Sequence, residues 1–364
     1  MVNLPEPLAS IPRTPLLWPY PSPLHLMPHL TEHIHATTSC GTGTRFWAKR
    51  EDCSSGLGLG GNKIRKLEYI VPEALQLGAT TLVTTGGVQS NHMRQVVAVG
   101  NSLGMKTVLV PQEAHPVNGS GNRAGKGTGT ANGDEDLFLR LGNVQVNRIL
   151  GAEVVSQPSV SMEQVAAEIR TAGGVPYIIS SGASAHAYGG LGFARWAFEI
   201  VEQESQLGVF FDVLVAPVAS GGTVAGMIAG FKAADKAKRQ RRIIGVDTYD
   251  KPPGELEGKI LEIAQRTAGV LGLGRDAVQA GDVVLDTRYN RGTHRDWDER
   301  AEAGVRELGS TEGIVADPIY SGRALGAILD MAARGELNDK NNVLFVHTGG
   351  QAALGAFPKV ASVV

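Results

Sequence analysis

The sequence predicts an α/β protein built on two open, twisted, mostly parallel sheets flanked by helices, and three observations carry that expectation. Short apolar runs rich in β-branched residues alternate with segments of helical period along most of the chain. Within the runs, successive residues are apolar rather than alternate ones, as in strands buried on both faces. The βα units are also too many for one core of ordinary size in a chain of 364 residues.

The segments read as strands are 80–85 ("TTLVTT"), 106–111, 152–156, 176–180, 211–218 ("FDVLVAPV"), 242–247, 282–287 and 342–348 ("NVLFVHT"). Helical patterns lie between them at 91–103, 160–172, 190–204, 222–235 and 322–334. The glycine-rich tract 179–193 is the expected return from one sheet to the other. On this division residues 1–65 and 190–364 form a large domain and residues 66–189 a small one. The stretch 116–136, "PVNGSGNRAGKGTGTANGDED", is poor in apolar residues and reads as a surface loop of the small domain.

Composition excludes several function classes. Hydrophobic residues are 42% of the chain, charged residues 19%, and the net charge is −2, which argues against nucleic-acid or membrane-surface binding. Cys40 and Cys53 make no disulfide framework, and both read as small hydrophobes. The N-terminal sequence lacks the pattern of a signal peptide, and no stretch approaches the ~18 apolar residues of a membrane span. A cytoplasmic protein is expected. The histidines from His25 to His35 lack companions at ligand spacing, so no metal site is read.

Three glycine-rich stretches compete as phosphate loops. "GLGLGG" at 56–61 matches a dinucleotide fingerprint, but the following strand ends without the acid that such a site needs. "GNRAGKGT" at 121–128 fails the Walker spacing, because Ser120 and Gly127 stand where Gly and Ser or Thr are required. "VAPVASGGTVAGMIAG" at 215–230 fits best. An apolar strand runs straight into Ser220, Gly221, Gly222 and Thr223, and a helix begins at once, so free N–H groups and two hydroxyls converge on an anion. No accompanying Mg²⁺ ligand is present, which suits a monophosphate.

"GLGGNKIRKLEYIVPEAL" at 58–75 sets Lys63 and Lys66 at the start of a helical pattern, where the macrodipole disfavours positive charge. An anion bound close by would resolve that conflict. A monophosphate cradle plus an out-of-place lysine suggests pyridoxal phosphate held as a Schiff base. The motifs "REDCSSGLGLGGNKIRKLEYIVPEAL", "GGVQSNHMRQVVAV", "LGNVQVNRILGAE", "GGLGF", "SGGTVAG", "DPIYSGRALG" and "HTGG" together resemble the 1-aminocyclopropane-1-carboxylate (ACC) deaminase and D-cysteine desulfhydrase family. That family belongs to the fold-type II pyridoxal phosphate enzymes, which are tryptophan synthase β-like.

The resemblance implies that Lys63 is the Schiff-base lysine, that Lys66 lies near the cofactor phosphate, and that Asn91 partners the ring oxygen. Ser90 would meet the substrate carboxylate and relay protons, although Ser is also a favoured N-cap. Ser220, Gly221, Gly222 and Thr223 would carry the phosphate. His92 could titrate near neutral pH or lie on a helix surface. Tyr320 would sit over the substrate, unless it is a buried aromatic with a paired hydroxyl. The family's second substrate-loop tyrosine has no clean match, and "TRYNRGTHRDW" offers Tyr289 or His294. The resemblance also implies a homodimer and a small amino-acid substrate.

Within the family, the deaminases carry Glu and Leu where this chain has Ser321 and Thr348, and the desulfhydrase branch carries hydroxyls. A hydroxyl beside the pyridine nitrogen leaves it largely neutral, which is enough for loss of a good leaving group. The expectation is therefore D-cysteine desulfhydrase, forming pyruvate, ammonia and sulfide. ACC deaminase is the alternative, and a non-catalytic cofactor- or nucleotide-binding module is the reading from another class.

Overall fold

The computed structural model describes residues 4–112, 132–155, 157, 159–235, 240–249, 251–252, 254–290, 295–338 and 341–360. In chain order the elements are β1 (Leu24–Leu26), α1 (Pro28–Thr37), β2 (Arg45–Arg50), α2 (Asn62–Gln76), β3 (Thr81–Gly86), α3 (Asn91–Ser102) and β4 (Lys106–Pro111). Then come α4 (Asn132–Arg140), α5 (Asn143–Ile149), β5 (Glu153–Val154), α6 (Met162–Thr171), β6 (Pro176–Ile179) and α7 (Leu191–Leu207). The last part holds β7 (Val213–Val218), α8 (Gly222–Ala234), β8 (Arg242–Asp247), α9 (Glu255–Val270), β9 (Val284–Asp286), α10 (Glu299–Glu312), α11 (Ser321–Ala333) and β10 (Asn342–His347).

Two sheets form. One has six strands in the order β1-β2-β10-β7-β8-β9, and the other has four in the order β5-β4-β3-β6. Every pairing is parallel except β1 with β2. The strands are apolar throughout because each sheet is covered on both faces. Leu214, Ala216 and Val218 of β7 pack on α7, α8 and α9, while Val213 and Val215 pack on α1, α10 and α11. In the smaller sheet Leu82 packs against α2 and α3, and Val83, Val108 and Val110 face Val165 of α6. We propose that the two domains follow these sheets. The boundary expected at 65/66 then falls inside α2.

Several elements differ from the expectation. β2 is flanked by β1 and β10 although "RFWAKR" reads as charged. Its Lys49 is buried and donates to Glu199 Oε1 at 2.5 Å, and Glu199 also accepts from Arg65 Nη1 at 2.9 Å. A paired lysine can enter a core that its residue type alone would exclude. The edge strands β5 and β9 are shorter than the apolar runs that suggested them. Of the loop expected at 116–136, residues up to 131 lie outside the described ones, and 132–136 instead open α4. Among the described residues no helix is long and apolar enough to cross a membrane.

Candidate active site

A cavity of about 320 Å³ opens at the carboxyl ends of β3, β7 and β10, where open parallel sheets bind ligands. Four helix N-termini converge on it: Asn62 and Lys63 of α2, Ser90, Asn91 and His92 at α3, Gly221, Thr223 and Val224 at α8, and Tyr320 at α11. Each helix start leaves N–H groups without intrahelical acceptors and adds positive potential. The cavity is built for an anion.

At α8 the turn depends on glycine. Gly221 has φ +84°, and a Cβ on Gly222 would lie 2.6 Å from Ser184 Oγ and 2.9 Å from Lys66 Nζ. Ser184 Oγ accepts from the Gly222 N–H at 3.2 Å and lies 2.8 Å from Ser220 Oγ. Thr223 Oγ1 accepts from Asn62 Nδ2 at 3.1 Å, which ties α8 to α2 and leaves the threonine proton free to donate. Ser220 and Thr223 both line the cavity.

α2 has neither a side-chain cap nor an acid in its first turn. Gln95 Oε1 takes its place, accepting the N–H groups of Lys63 at 2.9 Å and Ile64 at 3.2 Å, and the Thr348 carbonyl accepts that of Asn62 at 3.0 Å. Lys66 is fully buried, and its Nζ donates to the Gly182 carbonyl and to Ser184 Oγ, both at 3.1 Å. Among the described residues neither Lys63 nor Lys66 is ion-paired with a carboxylate. Burial brings the Lys63 amine down to about 8. Burial, with Lys63 beside it, holds Lys66 well below the ordinary lysine range. Two adjacent amines with no counter-ion, next to a glycine cradle, fit a ligand that carries both a phosphate and an aldehyde. The donor set and the space that a Cβ would fill both suit pyridoxal phosphate.

Ser90 is where its N-cap reading puts it, at the start of α3 and accepting from Met93 N–H at 3.2 Å, and it also faces the cavity. His92 is neither a titrating group near neutral pH nor a surface residue. It is buried, lines the cavity and contacts Thr84 Oγ1 through Nε2 at 2.9 Å. Burial and the two lysines hold it well below the usual histidine range, so it stays neutral.

Tyr320 lines the cavity, and burial followed by the charge of Asp317 raises its phenol pKa. Asp317 shapes this end of the site. Its Oδ1 accepts the N–H groups of Ile319 at 2.9 Å and Tyr320 at 2.7 Å, and its Oδ2 accepts that of Ser321 at 3.2 Å. Thr348 lines the cavity, whereas Ser321 is buried behind it and donates to the Gly349 carbonyl at 2.6 Å.

Of the two candidates for the second substrate-loop residue, Tyr289 is corrected. It is 1% exposed in the core between the six-stranded sheet and α11, and its hydroxyl donates to Asp330 at 2.8 Å. An apolar ring with one paired hydroxyl is at home there. His294 lies outside the described residues. Sequence reasoning missed Asp317, Gln95 and Lys259. The last lines the cavity from α9, and nothing in its local sequence separates it from other surface lysines.

Comparisons with known proteins point to the same cofactor. The profile of the family described as "Pyridoxal-phosphate dependent enzyme" matches residues 20–349. The 1-aminocyclopropane-1-carboxylate deaminase of Pseudomonas syringae pv. syringae (strain B728a) is 40% identical over 357 residues, 96% of this chain and 97% of that protein. The protein of the same name from Burkholderia multivorans (strain ATCC 17616 / 249) is 40% identical over 360 residues, 97% of this chain and 98% of the relative. A crystal structure described as "the ACC deaminase homologue" superposes with a TM-score of 0.77 at 29% identity, covering 98% of both chains. These relatives favour the ACC alternative over the D-cysteine expectation. A profile spanning most of the chain, and relatives aligned almost end to end, meet a cavity whose paired amines and glycine cradle suit the cofactor: this chain belongs to the pyridoxal-phosphate dependent enzymes of fold type II and uses that cofactor.

Proposed function

We propose that the protein deaminates a small α-amino acid, with 1-aminocyclopropane-1-carboxylate as its substrate, releasing 2-oxobutyrate and ammonia. The observation that carries this reading is the 40% identity, over nearly full length, to proteins of that name. The cavity of about 320 Å³ has room for the cofactor and only a small amino acid beside it.

Lys63 would hold the cofactor covalently. Ser220, Gly221, Gly222, Thr223 and Lys66 would hold the phosphate, Asn91 would meet the ring oxygen, and Thr348, backed by Ser321, would face the pyridine nitrogen. When bound, pyridoxal phosphate supplies an electron sink for bonds broken at the substrate α-carbon. The residues do the rest. Ser90 and the α3 N-terminus bind the substrate carboxylate, with neutral His92 beside them. The Lys63 amine, brought down to about 8, can both take and return a proton near neutral pH. Tyr320, with its pKa raised, keeps its proton near neutral pH and would offer a hydrogen bond to the substrate.

A second reading, elimination from D-cysteine, is favoured by one observation: Thr348, which lines the cavity, and Ser321 behind it carry hydroxyls 3.4 Å apart, and neither residue is the Leu or Glu that marks the deaminases. One experiment separates the two. Purified protein with pyridoxal phosphate is given each substrate in turn, and products are identified. 2-Oxobutyrate from ACC supports the first reading, pyruvate with sulfide from D-cysteine the second, and neither product removes both. A homodimer and a cytoplasmic location belong to the same reading, and sedimentation and fractionation check them.

A further inference from the structure

Behind the cavity, a buried amide network decides which end of the Asn91 carboxamide faces the ligand. Asn143, at the start of α5, is fully buried. Its Nδ2 donates to the Gln89 carbonyl and to Asn91 Oδ1, both at 2.8 Å, and its Oδ1 accepts from Arg94 Nε at 2.7 Å. An amide can be turned end for end, so its direction must come from partners that play only one role. Two such partners are present. The Arg94 guanidinium can only donate, and the Gln89 carbonyl can only accept. Together they fix both ends of Asn143.

The second Nδ2 proton of Asn143 then requires an acceptor, and Asn91 must offer Oδ1. Arg94 Nη2 meets the same oxygen at 3.4 Å and requires the same choice. Gln89 is fixed in the same way. Its Nε2 donates to the carbonyls of Phe138 at 2.5 Å and Leu141 at 2.9 Å, which leaves Oε1 to accept the Asn143 N–H at 2.8 Å. The turn that delivers Asn143 needs glycine, because Gly142 has φ +63° and a Cβ there would lie 2.6 Å from Gln89 Oε1.

We infer that Asn143, with Arg94 behind it, is a positioning residue that locks the Asn91 carboxamide with Nδ2 towards the cavity, so that Asn91 meets the ligand as a hydrogen-bond donor. This rests on the proposed function and deepens it, since the ligand group concerned is the ring oxygen of pyridoxal phosphate. An electron-rich oxygen there is stabilised by a donor and repelled by Oδ1. Without the lock, Asn91 could present either end.

The test adds pyridoxal phosphate to full-length wild type, Asn143→Asp and Asn143→Leu. Wild type should develop the visible band of the Lys63-bound cofactor. In both variants the dissociation constant should rise about tenfold or more, and the pH midpoint of the band should move upwards. A purely structural role for Asn143 would lower the melting temperature and leave that midpoint unchanged, which would overturn the inference. A midpoint that moves in the aspartate variant alone would reflect its charge and would overturn it too.

Should neither variant fold, ¹⁵N-asparagine labelling of wild type decides. The Asn91 side-chain protons should shift on adding the cofactor while those of Asn143 stay slow to exchange. A shift at Asn62 without one at Asn91 would overturn the inference. Absence of any band or shift in wild type would remove the functional reading and this inference together. A normal wild-type band with unaltered variants would remove the inference alone.

Discussion

Ser321 and Thr348 hold their hydroxyl oxygens 3.4 Å apart, yet only Thr348 faces the cavity, because the Ser321 proton is committed to the Gly349 carbonyl at 2.6 Å. The two hydroxyls therefore do different work. Thr348→Val should lower turnover about tenfold, on the order of the ~1.4 kcal/mol that one hydrogen bond can supply, with little loss of stability. Ser321→Ala should cost about 1 kcal/mol of stability and lower turnover less. Steady-state kinetics and thermal unfolding of both variants check this, and equal effects on turnover would give the hydroxyls one shared role.

Lys63 is the amine expected to capture the cofactor, and it must be neutral to do so. With its pKa brought down to about 8, the rate of cofactor capture by apoprotein should rise about tenfold per pH unit below that value and level off above it. Stopped-flow absorbance follows the capture. Lys63→Ala should show no covalent band and no turnover, and retained turnover would take Lys63 out of the mechanism.

Lys66 should make opposite contributions to the empty and the filled protein. Burial and Lys63 hold its pKa well below the ordinary lysine range, a depression that costs folding stability at neutral pH, so Lys66→Met should raise the melting temperature of apoprotein. The same change should weaken pyridoxal phosphate on the order of ten- to a hundredfold, through loss of a charged donor to phosphate. Inorganic phosphate should stabilise wild type and leave the variant unmoved. Calorimetry with and without phosphate distinguishes these outcomes.

Tyr320 and Tyr289 should part company. Tyr320→Phe should lower kcat while leaving cofactor affinity near wild type, because the residue lines the cavity and its proposed contact is with the substrate. Its raised pKa places no Tyr320 limb in a pH profile below about 10. Tyr289→Phe should cost about 1 kcal/mol of stability through the lost Asp330 bond and leave kinetics unchanged. A large activity loss in the second variant would return Tyr289 to the substrate loop.

Much of this protein was legible because local patterns dictated it. Continuous apolar runs of β-branched residues can be satisfied only by strands covered on both faces, and β7 and β10 are such strands. A strand running into Ser220, Gly221, Gly222 and Thr223 makes an anion cradle through backbone geometry, whatever lies around it. Lys63 and Lys66 stood out because positive charge at a helix start opposes the dipole. What tertiary structure alone decided depends on partners distant in sequence. Lys49 entered a core strand because Glu199 is there to pair with it. Tyr289 left the site because Asp330 and a deep apolar layer accept it. Ser321 and Thr348 diverged because one carbonyl, that of Gly349, claims a single proton. His92 lost its charge through burial beside two lysines, and the amide direction of Asn91 was set by Asn143 and Arg94. Local sequence encodes backbone geometry and apolar period, whereas the role of a polar group is set by whichever donors and acceptors folding brings within about 3 Å of it.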